Sequence, residues 1–140
     1  MGKTQTISTS LFQTANFILH SGRRSNWKID CDYLTKSDWD TLAMMAVNIL
    51  PPFNSVVGIP IGGIEFCNAL LKYRSDPKKH DTLLIVDDVL TTGSSFIEMK
   101  EKVFNETTNK WNQIIGCVAF SRGYHFDWVT PIFLINSKLR

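Results

Sequence analysis

The stretch Leu83-Leu84-Ile85-Val86-Asp87-Asp88-Val89-Leu90-Thr91-Thr92-Gly93-Ser94-Ser95 decides the fold. Four apolar residues, Leu83 to Val86, read as a short strand buried on both faces, the kind found in parallel sheets. Two carboxylates, Asp87 and Asp88, come next, where that strand should leave the core. Thr91 to Ser95 then supply small hydroxyl side chains and one glycine, ahead of a helix expected to begin near Phe96. Such a turn offers backbone N–H groups, hydroxyl donors and the positive end of a helix dipole, which together suit a phosphate. The adjacent carboxylates can accept hydrogen bonds from vicinal hydroxyls, as on a ribose. A plain strand, turn and helix with Asp88 near a capping position explains the acid pair alone, but not the full pattern.

Upstream, Ser55 to Ile59 reads as a second buried strand, followed by Pro60-Ile61-Gly62-Gly63 and a helix from Ile64 to about Lys72. Paired glycines between strand and helix let a backbone approach an anion closely. The spacing to the central stretch fits a βαβ unit. Neither GxxxxGK[ST] nor GxGxxG occurs, so a P-loop ATPase or a dinucleotide-binding fold is not supported. Downstream, Phe96 to Phe104 continues as a helix with Phe96, Met99, Val103 and Phe104 facing inward. Gln113 to Phe120 forms a further apolar strand, and Val129 to Ile135 a last one, which Pro131 places at an edge. Between them, Arg122 is either a surface arginine in a turn or a group at the C-terminal end of a parallel strand, where open α/β sheets bind ligands.

The clearest amphipathic helix is Ser37 to Leu50. Ser37 is the expected N-cap with Asp40 three residues on. Trp39, Leu42, Ala43, Ala46 and Ile49 give the apolar face, Met44 and Met45 are assigned to the core with it, and Pro51-Pro52 ends it. Thr9 to Asn16 could form a short helix with Leu11, Phe12 and Ala15 on one side. From Phe17 to Asp30 the chain has a Ser21-Gly22 turn, two arginines and a Trp27-Lys28-Ile29 strand. That pattern is a basic turn between two strand-like pieces. Tyr73 to Asp81 is polar and basic, carrying Arg74, Lys78, Lys79 and His80, and could be a solvated connection.

With 140 residues, 44% hydrophobic and 20% charged, one compact domain over residues 1–140 is expected. A formal charge of +2 gives no argument for nucleic acid. Cys31, Cys67 and Cys117 lack CxxC spacing and sit among apolar residues, so reduced buried thiols are expected. No secretory apolar region and no membrane-length run occur, and the expected location is cytoplasmic.

The Leu83 to Ser95 stretch resembles the signature of the type I phosphoribosyltransferases, which bind phosphoribosyl pyrophosphate (PRPP) with Mg²⁺. Phe17, Leu19, Ser21, Gly22, Arg23, Ser25 and Asp30 are similar to the N-terminal signature of the orotate phosphoribosyltransferases, with His20 in place of the family lysine and Lys28 in place of an aromatic. Ile61-Gly62-Gly63 resembles the family pyrophosphate loop, and Arg74 to His80 its catalytic loop, although the strand that precedes that loop in the family and most of the lid that follows it before Leu83 are missing. Arg122 matches an arginine that helps hold the orotate carboxylate.

The resemblance implies an α/β fold with a mostly parallel central sheet, helices on both faces, right-handed crossovers, and a small hood (1–35) over a core (36–140). It implies PRPP held by Ile61, Gly62, Gly63, Arg74 and the run Asp87, Asp88, Val89, Leu90, Thr91, Thr92, Gly93, Ser94 and Ser95. Asp87 and Asp88 would approach Mg²⁺, largely through PRPP and water. Lys78 and His80 join the acid pair as the catalytic groups it implies, while Phe17, His20, Ser21, Gly22, Lys28 and Arg122 would face the base. A homodimer binding PRPP and a nucleobase, with no nucleic acid or membrane partner, is the family expectation. The reaction implied is transfer of phosphoribose to orotate or a related pyrimidine. A non-catalytic PRPP- or nucleotide-binding protein and a purine enzyme are the alternatives.

Overall fold

A computed structural model describes residues 10–18, 24–76, 81–107, 111–123 and 126–135. Two strands come first, β1 (Phe12–Ile18) and β2 (Arg24–Ile29), paired antiparallel with Phe12 opposite Ile29 and a shift in register between Thr14 and Phe17. Helix α1 (Lys36–Ile49) leads to β3 (Ser55–Gly58), α2 (Ile64–Leu70), β4 (Thr82–Leu90), α3 (Ser94–Thr107), β5 (Gln113–Ser121) and β6 (Val129–Leu134). The last four strands form one parallel sheet in the order β3-β4-β5-β6. This is the mixed α/β architecture expected, with Pro131 on the edge strand β6.

The central strand is apolar on both sides because both sides are covered. Leu84 and Val86 of β4, with Ile115, Cys117 and Ala119 of β5, pack against Trp39, Leu42, Ala43 and Ala46 of α1 and Phe66 and Leu70 of α2. Leu83 and Ile85, with Val118, face the other way onto Phe96 and Val103 of α3. Strand β4 runs on to Leu90, so Asp87 and Asp88 lie within its C-terminal part, past the buried run Leu83–Val86.

Several local expectations are corrected. The segment expected as a helix over 9–16 is extended from Phe12 onward, because pairing with β2 satisfies its backbone and overrides the helical spacing of Leu11, Phe12 and Ala15. Helix α1 is capped by Thr35, not Ser37. The Thr35 hydroxyl accepts the Asp38 N–H at 3.1 Å, and the Asp38 carboxylate accepts the Thr35 N–H at 2.8 Å, a complete capping box. The Ser37 carbonyl is engaged within the helix instead, accepting the Thr41 hydroxyl. Ile49 is 51% exposed and Met44 57% exposed, and Met45 and Phe104 are exposed too, so each of these lies at the solvent edge of its helix.

The crossovers also differ from expectation. β3→α2→β4 and β4→α3→β5 step the same way across the sheet, yet α2 and α3 cover opposite faces. The two connections therefore have opposite hand, and one is left-handed, against the strong general preference. An extra strand outside β3 would reverse the first step and give both connections one hand. Among the described residues α2 returns to β4 with no such strand.

Candidate active site

Three chain reversals meet at the C-terminal edge of the parallel sheet. The first comes after β3. The Ile59 N–H donates to the Val86 carbonyl at 2.9 Å, keeping the chain on β4, and Pro60 to Gly63 then turn into α2. The Pro60–Ile61 peptide is cis. Gly62 is the glycine whose lack of a side chain matters here. A Cβ on it would lie 2.5 Å from Asp88 Oδ2 and 2.6 Å from Asp88 Cγ, so the Asp88 carboxylate rests directly on this turn.

The second reversal comes after β4. The Asp88 N–H donates to Asp87 Oδ1 at 2.8 Å, and the Val89 N–H donates to Asp88 Oδ1 at 2.7 Å. Asp87 is only 8% exposed. Burial first, and then the neighbouring Asp88 charge and side chain, push its carboxyl up to about 8, opposed by the Asp88 backbone N–H. Asp87 thus gives up its proton far less readily than an ordinary carboxyl. The chain next turns through Thr91–Gly93 into α3, where the Phe96 and Ile97 N–H groups reach the Gly93 carbonyl. The Thr92 and Ser94 hydroxyls lie 3.3 Å apart, and Gly93 has φ +87°, which glycine adopts without strain. The third reversal comes after β5, where the Arg122 N–H donates to the Leu90 carbonyl at 2.9 Å.

These turns enclose a cleft of about 630 Å³, within the range of small-ligand sites. Its walls are Ile59–Gly62, Asp87–Phe96 and Arg122 from the sheet edge, with Lys28 and Ile29 of β2. One side is acidic, at Asp87 and Asp88. A second carries hydroxyls and a helix N-terminus, suited to an anion. Lys28 and Arg122 are the cations among the described lining residues. Cys31 is buried, and its thiol is held well above the usual range, first by burial and then by the negative charges of Asp88, Asp30, Asp87 and Asp32. It therefore stays protonated and supplies no nucleophile.

Most residues expected in the PRPP and base sites are brought together: Ile61, Gly62, the whole run Asp87–Ser95, Lys28 and Arg122. Gly63 is not on the wall. It is buried behind it as the N-cap of α2, its N–H donating to the Ile59 carbonyl. Arg74 is not in the cleft either. Helix α2 runs back toward the N-terminal ends of the strands, so Arg74 lies beyond it at the opposite edge, and its Nε–H donates to the Leu71 carbonyl at 2.9 Å. Next to it, Ser75 is bonded through N–H and hydroxyl to Phe53, ahead of β3. Asp81, ahead of β4, accepts from the Asn112 and Gln113 N–H groups at the same edge. His20, Ser21, Gly22, Lys78 and His80 lie outside the described residues, and Phe17 is placed only by its backbone on β1, opposite Ser25.

Sequence reading did not single out Ile29, Ile59, Pro60 and Phe96 as site residues, and these complete the wall. Proximity to the recognised turns could have suggested Pro60 and Phe96. Ile29 needed the β1–β2 pairing.

The fold is that of the type I phosphoribosyltransferases. An orotate phosphoribosyltransferase from Aeropyrum pernix matches 91% of this chain over 89% of its own length, with TM-score 0.68 and 20% identity. UMP synthase of Leishmania donovani matches 91% of the chain at TM-score 0.70 and 19% identity, over 34% of that longer protein. A phosphoribosyltransferase from Corynebacterium diphtheriae matches 79% of the chain over 84% of its own length, at TM-score 0.63 and 12% identity. No protein-family model matches the chain, and no curated protein matches it by sequence. Among the described residues no helix is long and apolar enough to cross a membrane.

Proposed function

We propose that this protein is a phosphoribosyltransferase that joins a nucleobase, orotate or a related acidic pyrimidine, to PRPP with release of pyrophosphate. The observation that carries the reading is the convergence on one cleft of the Asp87–Asp88 pair, the Thr91–Ser95 turn at the start of α3, and the Gly62 turn. Each of these matches one part of PRPP. The acid pair accepts hydrogen bonds from the ribose 2- and 3-hydroxyls. The turn donates N–H and O–H groups to the 5-phosphate, with the helix dipole adding favourable charge. The bare Gly62 backbone admits the pyrophosphate beside Asp88.

The chemistry needs no protein nucleophile. The bond from the anomeric carbon to the pyrophosphate oxygen breaks, and its electron pair leaves on that oxygen. The new carbon–nitrogen bond forms from the base nitrogen lone pair, and the proton of that nitrogen goes to solvent. Between the two events the ribose carries oxocarbenium character, which the enzyme must position and balance electrostatically. Lys28 and Arg122 are the groups suited to an anionic base, the arginine as a planar two-pronged donor.

Two adjacent carboxylates with no third acidic, His or Cys ligand among the described residues suit a hard cation that keeps ligand oxygens and waters. Asp87 and Asp88 would hold Mg²⁺ in that way, and its charge would offset that of the pyrophosphate. We further propose a homodimer, the arrangement the sequence resemblance implies, and a cytoplasmic location.

The second reading is a binding protein without turnover. The short segment from α2 to β4 favours it, because its residues Ser75 and Asp81 sit at the edge away from the cleft. The discriminating experiment incubates the protein with PRPP, Mg²⁺ and a panel of pyrimidine and purine bases, monitoring pyrophosphate and nucleotide. Turnover with an acidic pyrimidine is expected. PRPP binding without turnover on any base would establish the second reading.

A further inference from the structure

The Thr91–Ser95 turn is backed by an aromatic stack that reaches the cleft wall at Phe96. A Cβ on Gly93 would come within 2.5 Å of Phe126 Cε2 and 2.7 Å of its Cζ, so the Phe126 ring rests against the bare Cα of the turn. Phe126 belongs to the β5-to-β6 connection and stacks on Trp128, with ring centroids 5.7 Å apart and planes at 29°. Trp128 meets Phe96 edge-on at 5.9 Å, and Lys100 Nζ sits 4.4 Å from the Trp128 ring centroid. Phe96 and Lys100 both belong to α3, the helix that the turn begins. The connection is itself pinned, since the Gly116 N–H of β5 donates to the Trp128 carbonyl at 2.7 Å. The stack therefore joins the turn, the first turns of α3 and β5 in one packed unit.

We propose that Phe126 is a positioning residue for phosphate binding. Its ring sets the height of Gly93, and thereby the direction of the N–H groups and the Thr92 and Ser94 hydroxyls that receive the phosphate. The inference rests on the reading that this turn takes the 5-phosphate. Phe126 is not among the residues that line the cleft; it meets the turn directly at Gly93 and the wall residue Phe96 by way of Trp128. The absent Cβ at Gly93 then has two causes, the positive φ and the ring, and only the second disappears when Phe126 is cut back.

The test is equilibrium binding of ribose 5-phosphate, with unphosphorylated ribose and the base as controls. It compares wild type, Phe126→Leu, Phe126→Ala, Gly93→Ala and the Phe126→Ala/Gly93→Ala pair, well below each melting temperature. Phe126→Leu keeps apolar volume and guards against loss of folding. The expected result is about tenfold weaker ribose 5-phosphate binding in Phe126→Ala, as for the loss of about one charge-assisted hydrogen bond. Phe126→Leu should fall in between, and base affinity should stay put. Gly93→Ala should cost less in the Phe126→Ala background than alone. A purely structural role would lower the melting temperature and leave these affinities unchanged, which would overturn the inference alone. Failure of the wild type itself to bind ribose 5-phosphate would overturn the site reading and the inference together.

Discussion

Replacing Asp87 with asparagine should change how the stability of this protein responds to pH. Asp87 is buried in β4 beside Asp88, and its carboxyl is pushed up to about 8 from an ordinary value of 3.8. Below the unfolded value both states hold the proton, and the group does not favour unfolding. As pH rises above it, only the unfolded chain releases the proton, so stability falls until pH passes the folded value. The slope is about 1.4 kcal/mol per pH unit. Over the roughly four units between the two values the loss reaches at most ~6 kcal/mol, against a typical total of about 5–15 kcal/mol. An asparagine side chain would carry no charge at any pH, and its oxygen can still accept the Asp88 N–H. Urea unfolding between about pH 5 and about pH 8 reads the effect directly through the midpoint at constant m-value. Wild type should lose several kcal/mol over that range, and Asp87→Asn should lose much less and be the more stable near pH 8. Parallel profiles for the two proteins would refute the reasoning, because Asp87 would then titrate alike folded and unfolded.

Gly62→Ala would drive a Cβ into the Asp88 carboxylate, so PRPP affinity should fall by about tenfold or more in a protein that stays folded by circular dichroism. Arg122→Ala and Lys28→Ala should raise the KM of an acidic base several-fold, by roughly 1–2 kcal/mol each, with a smaller effect on the KM of PRPP in steady-state kinetics. Lys78→Ala and His80→Ala should leave PRPP affinity of an isolated subunit within about twofold by calorimetry. Only four residues separate Asp76 from Asp81. Four residues bridge a limited height, whereas six residues of β4 place Asp88 ~20 Å beyond Thr82.

The central stretch was legible because its chemistry is local. An apolar run, two carboxylates and a hydroxyl turn lie in one continuous segment, and β4, its turn and α3 arrange them in sequence order. The Gly62 turn was legible for the same reason. The features that could not be read depend on residues far apart in the chain. β1 looked helical by spacing, and only its pairing with β2 makes it a strand. The exposure of Met44 and Ile49 arises because α1 rests on α2 through a narrow stripe headed by the Trp39–Phe66 contact. The contacts of Asp88 with Gly62 and of Phe126 with Gly93 are side-chain placements that no spacing encodes. Arg74 is a different case. A helix that returns antiparallel to its strands carries the residues after it to the far edge, and tracing α2 from Ile64 would have placed Arg74 there.

The central claim is that Asp87, Asp88 and the Thr91–Ser95 turn form one ribose-phosphate site. It is tested most directly by calorimetric titration of PRPP with Mg²⁺ into wild type and the Asp87→Asn/Asp88→Asn double variant. The account predicts binding by wild type and a loss of about a hundredfold or more in the folded double variant, from replacing both carboxyl groups by neutral amides. Equal affinity in the two proteins would contradict it.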